Sequence, residues 1–231
     1  MDLQNSKFPE RIGLIADTHG NADLLGRAIE TLLYNGADCL VHLGDFCDSQ
    51  NHGDLRQIFS LLQRYQVRTV KGNNDFRVEK MLQHKELCQY PDKREQWLAF
   101  LQQTPVVMRL GDVCYCHSLP YDSIRAFYEP VDTGGTDRAA EVFDHVADHV
   151  IFCGHSHEPV LFRSRDRVVT REQMHEQSTV LHCHQRYIII VGAGENSECA
   201  VFDMNRSRYE RILIPAPSRV EQADERAELR F

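Results

Sequence analysis

The first 75 residues repeat one pattern: a short apolar run, an abrupt cluster of Gly, Asp or Asn, then a stretch with helical spacing. Residues 11–16 run apolar to Asp17, residues 38–43 run apolar to Gly44-Asp45, and residues 67–70 lead into Gly72-Asn73-Asn74-Asp75. Between the first two runs, Leu25, Ala28, Ile29 and Leu32 recur at the spacing of an amphipathic helix that stops near Asn35-Gly36. A second helix is expected over about 55–65, with Ile58, Leu61 and Leu62 facing inward. Strand, helix, strand, helix, strand predicts parallel pairing, because parallel neighbours need a crossover and a helix usually provides it.

The remainder is richer in strands. Residues 106–110 and 113–117 flank Gly111-Asp112 as a hairpin, and a helix is expected over 136–147. Apolar runs at 149–153, 160–163, 168–171, 187–191, 199–204 and 209–214 read as strands. The order predicts an α/β fold of two stacked mixed β-sheets flanked by helices. Residues 1–215 form a single domain on this reading, and 216–231, rich in Pro, Arg and Glu, form a charged tail or surface helix.

The apolar runs end in unusual company: Asp17-Thr18-His19, Gly44-Asp45, Gly72-Asn73-Asn74-Asp75, Cys116-His117 and Gly154-His155-Ser156-His157. Ligands bind at the carboxyl ends of parallel strands, so polar residues gathered there mark a candidate site. In an extended segment residues i and i+2 project to the same side, which pairs Asp17 with His19 and His155 with His157. Carboxylate, amide and imidazole donors with no thiolate suit manganese, iron, zinc or nickel in open coordination. Seven ligands exceed what one ion takes, and two ions about 3.5–4 Å apart would use them, as in two-metal hydrolases of phosphate esters.

The series D-x-H, G-D, G-N-x-D, a lone His after a hairpin strand, and G-H-x-H over residues 17–157 resembles the calcineurin-like metallophosphoesterase family, in particular its small bacterial phosphodiesterase-like branch. The resemblance implies an αββα sandwich of the metallophosphoesterase type. It implies that Asp17, His19 and His157 hold one divalent metal and that Asn73, His117 and His155 hold a second, with Asp45 bridging. A hydroxide activated between the two metals would attack phosphorus, and Asp45, Asn73 and His117 would be catalytic through that centre. Many members carry His after the third-motif Asn as a proton donor; Asn74 stands there in this chain and cannot donate a proton at useful pH. Ser49 follows the second motif where protein phosphatases have Arg, and Ser118 follows His117 where Gly is common. A Ser/Thr protein phosphatase is thereby disfavoured.

The stretch 120–136 could contribute to a substrate pocket, with Tyr121, Arg125 and Tyr128 as phosphate or base contacts. His42 is expected beside the ligands, and His182 and His184 imitate the H-x-H spacing without supporting motifs. The balance of 26 Lys+Arg against 34 Asp+Glu, a net charge of −8, argues against a broad grip on nucleic acid. No run approaches the roughly 20 apolar residues of a membrane helix, no secretory signal is visible, and the 8 cysteines show no zinc-type spacing, so a cytoplasmic protein is expected. The expected function is metal-dependent hydrolysis of a small phosphodiester or phosphomonoester. The alternatives are a scaffold that retains the fold for protein binding and a nuclease of the same superfamily.

Overall fold

Strands that are apolar on both faces must lie inside a sheet covered on each side. In the computed structural model, which describes residues 9–51, 54–84, 91–174 and 176–217, the chain opens with such a strand, β1 (Arg11–Ile15), four of whose five residues are buried. After it come α1 (Ala22–Tyr34), β2 (Cys39–His42), α2 (Leu55–Arg64), β3 (Arg68–Thr69), α3 (Asn73–Gln83) and α4 (Arg94–Gln103). The hairpin β4 (Val107–Leu110) and β5 (Val113–Cys116) precedes α5 (Asp137–His145), β6 (Val150–Cys153), β7 (Val160–Arg165) and β8 (Val168–Gln173). The last strands are β9 (Ser178–Val180), β10 (Arg186–Ile190), β11 (Glu198–Asp203) and β12 (Arg208–Leu213).

Two six-stranded mixed sheets result, ordered β3-β2-β1-β11-β12-β9 and β4-β5-β6-β10-β7-β8. Parallel pairing joins β1 to β2 and β2 to β3 in the first sheet, and β5 to β6 and β6 to β10 in the second. The hairpin turns at Gly111-Asp112, with Leu110 opposite Val113, as the sequence predicts.

Alternation along the strands sorts the apolar residues into three layers. Leu14, Val41, Tyr115, Phe152, Tyr187 and Ile189 meet between the sheets. Leu25, Ile29, Ile58 and Leu62 cover the outer face of the first sheet, and Val142 with Phe143 pack against Ile151 and Ile188 on the outer face of the second. This is the expected order of helices, sheet, sheet, helices.

Three elements go beyond the apolar pattern. The buried face of α3 is Asp75, Val78, Glu79 and Leu82, so half of it is carboxylate and its periodicity does not register as apolar. Glu79 is neutralised there by Lys71, whose Nζ donates at 2.6 Å. Helix α4 buries only Trp97 and Leu101, and β9 is three residues long. The charged segment expected from residue 216 lies, beyond residue 217, outside the described residues. No helix among the described residues is long and apolar enough to cross a membrane.

Phe152 is fully buried between the sheets, its ring centroid 5.9, 5.1 and 5.8 Å from those of Tyr115, Phe202 and Tyr209. Truncation to Ala in so tightly packed a layer costs about 3–5 kcal/mol. Urea unfolding of Phe152→Ala should show a loss of that size at unchanged m-value; a loss below about 1 kcal/mol would contradict this packing.

Candidate metal centre

Each motif lies just past the carboxyl end of a strand, and the two sheets bring those ends together. Asp17 follows β1, Asp45 follows β2, Asn73 is the first residue of α3 after β3, His117 follows β5, and His155 and His157 follow β6. The first three come from one sheet and the last three from the other.

The pairs Asp17/His19 and His155/His157 converge, though not by the pleat of an extended strand. Asp17 (φ 52°), His19 (φ 42°), Asp45 (φ 56°), His155 (φ 71°) and His157 (φ 62°) all adopt the left-handed conformation. Such a conformation costs an L-residue roughly 1–2 kcal/mol, so five at one place demand compensation and mark a functional constraint. Compensation is visible in the backbone: Asp17 N–H donates to Gly44 O at 3.1 Å, His19 N–H to Asp45 O at 3.0 Å and Gly154 N–H to His117 O at 2.9 Å.

Glycines serve here mainly by lacking a Cβ. A Cβ on Gly72 would stand 2.1 Å from Asp45 Oδ1, and one on Gly154 would stand 2.4 Å from Asp17 Oδ2. The carboxylates occupy space that any larger residue would fill.

The donor atoms crowd one another. His19 Nε2 lies 3.3 Å from His157 Nε2, which is 3.5 Å from Asp17 Oδ1. His117 Nε2 lies 3.1 Å from Asn73 Oδ1, 3.1 Å from His155 Nδ1 and 3.6 Å from Asp45 Oδ2. Asp17, His19 and His157 each bring a ligand atom within 4.8 Å of the others, as do Asp17, Asp45 and His117, so Asp17 belongs to both groups.

The residues fit a divalent cation by three tests. Asp17 Oδ1 is buried and has no hydrogen-bond partner, which a carboxylate oxygen tolerates poorly without a cation. His117 Nδ1 lies 2.9 Å from the Leu43 carbonyl, which can only accept, so Nδ1 carries the hydrogen and Nε2, 3.1 Å from Asn73 Oδ1, is the nitrogen whose lone pair can serve a cation once the ring is neutral. Finally, donors about 2.1 Å from one ion at tetrahedral angles stand about 3.4 Å apart, close to the spacings found.

Burial raises the Asp17 carboxyl, but His157, His117 and the His155 N–H outweigh it and hold it below the ordinary value. Asp17 pushes His157 up to about 9, with burial opposing and Glu195 adding to the rise. Burial lowers the His117 imidazole, yet Asp45 and Asp17 prevail and raise it. His155 is held down by burial and by His117.

Residues other than the seven candidate ligands hold those side chains in place. Asp75, fully buried, accepts from the N–H groups of Asp45 (2.7 Å), Cys47 (2.8 Å) and Gly72 (2.9 Å), tying the second motif to the third. Burial and the Asp45 charge push it up to about 7. Asn74 Nδ2 donates to Asp45 Oδ2 at 2.7 Å and its N–H to Asp45 Oδ1 at 2.8 Å, while Ser49 Oγ donates to Asn74 Oδ1 at 2.6 Å. His42 lies beside Thr18 Oγ1 at 3.1 Å, and burial pushes its pKa down to about 3, leaving it neutral. Ser118 has no left-handed backbone, so Gly is not needed after His117, and its hydroxyl donates to Glu129 O at 2.6 Å. Glu195, absent from the motif series, lies 2.5 Å from His157 Nδ1.

The stretch after His117 is tied to the site through Ser156, whose Oγ donates to Asp132 at 2.7 Å. Within it, Arg125 is 85% exposed and pairs with Glu129 at 2.8 Å. Tyr121 packs with the core outside the second sheet and against the His145 ring. Tyr128 is exposed and lies under the Arg77 guanidinium, 5.9 Å from its ring centroid. The rings of His182 and His184 stack on each other with centroids 5.6 Å apart, and neither belongs to the two groups of candidate ligands.

The family model described as the calcineurin-like phosphoesterase superfamily domain matches residues 11–172, a span that includes all seven motif residues. Among solved structures the chain is similar to a metallophosphoesterase from Sphaerobacter thermophilus, at 21% identity and a TM-score of 0.72, covering 96% of this chain and 93% of that one. It is similar to a hypothetical protein from Pyrococcus horikoshii OT3 at 13% identity and TM-score 0.63, over 95% and 93% of the two chains. A protein serine/threonine phosphatase from Saccharomyces cerevisiae matches at 12% identity and TM-score 0.53, over 93% and 82%. At these identities the likeness is one of fold. A search of curated proteins gives no match.

His157 generates a pH prediction. Its folded value of about 9 exceeds the ordinary 6.5, so its contribution to stability is fully present below 6.5 and is lost as pH rises through 9. The melting temperature of chelator-treated protein should fall between pH 6.5 and 9, and uptake of a divalent cation at pH 7.5 should release protons to the buffer. A flat melting profile with no proton release would contradict the arrangement.

Proposed function

This chain belongs to the calcineurin-like phosphoesterase superfamily and is a metal-dependent phosphohydrolase, and from that premise we propose that it hydrolyses a small phosphodiester or phosphomonoester at a binuclear centre. On this reading Asp17, His19 and His157 hold one divalent cation, Asn73, His117 and His155 hold the other, and Asp45 spans both. Manganese, iron, zinc and nickel all suit this donor set. Bound there, the cations would neutralise charge growing on the phosphoryl oxygens and lower the pKa of a water so that hydroxide is present near neutrality.

The observation that carries the reading is the convergence of donors from five chain segments, neighbouring donor atoms standing 3.1–3.6 Å apart, with Asp17 Oδ1 buried among them and making no hydrogen bond. The chain's own residues prepare the centre. Asn74 holds Asp45 through both carboxylate oxygens, and Ser49 holds Asn74. Asn74 thus acts as an orienting group, and the leaving oxygen takes its proton from solvent or departs unprotonated. A protein-binding scaffold would have no use for five strained ligand positions, which counts against that alternative. The acidic net charge counts mildly against a nuclease. A cytoplasmic location is supported by the seven described cysteines, all unpaired.

Hydrolysis of bis-p-nitrophenyl phosphate should require added manganese, disappear with chelator, and be lost in Asp45→Ala and His155→Ala. Inactivity of the wild type across several divalent metals would overturn the proposal. Asn74→His, which places a titratable donor beside Asp45, should raise turnover on alkyl esters more than on p-nitrophenyl esters; an equal change on both would overturn the reading that the leaving oxygen departs without a side-chain acid.

A further inference from the structure

Outside the motif series, one side chain is aimed at a ligand. Glu195 Oε1 lies 2.5 Å from His157 Nδ1, the ring nitrogen turned away from the centre, while Nε2 faces His19 Nε2 at 3.3 Å and Asp17 Oδ1 at 3.5 Å. Among the described residues, Glu195 is the one carboxylate within 4 Å of the outward nitrogen of a motif histidine. His117 is held differently, by the Leu43 carbonyl.

Glu195 is delivered by a short turn, Gly194–Asn196, that is pinned on both sides. Gly194 N–H donates to Ala16 O at 2.7 Å and Glu195 N–H to Asp17 O at 3.2 Å, fastening the turn to the end of β1. Asn196 Nδ2 donates to His157 O at 3.2 Å, fastening it to the backbone of the histidine itself. A Cβ on Gly194 would stand 2.8 Å from Thr18 Cγ2, so the close seating depends on glycine. One turn thereby spans Asp17 and His157, which come from different sheets.

We propose that Glu195 is the positioning residue for His157: by accepting the Nδ1 hydrogen it fixes the ring and its tautomer, so that the Nε2 lone pair points at the metal beside Asp17 and His19. This rests on His157 being a metal ligand, as proposed above. A carboxylate in this place also makes the imidazole a stronger donor, and losing such a partner typically weakens metal affinity 10–100-fold.

The test is calorimetric titration of manganese into chelator-treated full-length protein, wild type against Glu195→Ala and Glu195→Gln, with cobalt-substituted visible spectra as a second readout. Glu195→Ala should weaken one metal equivalent about 10–100-fold, leave the other near its wild-type value, and shift the cobalt bands. Glu195→Gln, which keeps an acceptor, should recover most of the affinity. Glu158→Gln, which removes the exposed carboxylate next to His157 in sequence, should match wild type. Glu195 is 43% exposed at its side chain, so the variants should fold, and Glu195→Gln decides the matter if the alanine variant does not. Unchanged affinity in the Glu195 variants, or an equal loss in Glu158→Gln, overturns the proposal alone. A wild type that binds no metal overturns the reading beneath it.

Discussion

Asp17 is fully buried where the ends of the two sheets meet, and a carboxylate survives there only among donors and cations. One oxygen accepts the His155 N–H at 2.9 Å, across the gap between the sheets; the other faces His157 and has no hydrogen bond. Its carbonyl receives the Glu195 N–H, and its own N–H reaches the loop after β2. Much of the centre can be derived from this requirement. Gly154 is needed so that Asp17 Oδ2 has room, and His19 and His157 bring ring nitrogens to within 4.0 and 3.5 Å of Asp17 Oδ1.

Several features of this arrangement are legible in the sequence because they are written in residue type and spacing. The parallel β1, β2 and β3, the Gly-Asp hairpin and the long β-rich second half follow from apolar runs and their punctuation. The convergence of Asp17, His19, Asp45, Asn73, His117, His155 and His157 follows from their positions at strand ends, together with the family resemblance. The means of convergence is not legible: the D-x-H and H-x-H pairs meet through left-handed turns stabilised by distant carbonyls, not through a pleat. Helix α3 is hidden because Asp75 and Glu79 occupy its buried face, the first held by backbone N–H groups of the loop after β2 and the second paired with Lys71. Glu195 is hidden for a similar reason, since nothing local announces that Gly194 will sit against Thr18.

Asn74 illustrates how a departure from a family pattern is absorbed. A histidine in its place would offer a proton; the amide instead offers two fixed contacts to Asp45 and takes one from Ser49, itself standing where an arginine is found in protein phosphatases. Both changes exchange charge and proton chemistry for rigid hydrogen bonds around Asp45. On the function proposed above, such a centre would depend more on geometry and metal charge than on a side-chain acid, an arrangement suited to esters whose leaving oxygen needs little help.

The span of the site along the chain has a consequence for biosynthesis. Its donors run from residue 17 to residue 157, and the turn that braces His157 comes only at residue 195. Three of the seven donors belong to a sheet whose central strand β10 ends at residue 190. A nascent chain that has made only its βα units holds Asp17, His19, Asp45 and Asn73 without their imidazole counterparts. On the ligand set proposed above, a complete cation site exists only after both sheets have docked, and a cation bound there would stabilise the whole assembly against reopening instead of any fragment of it.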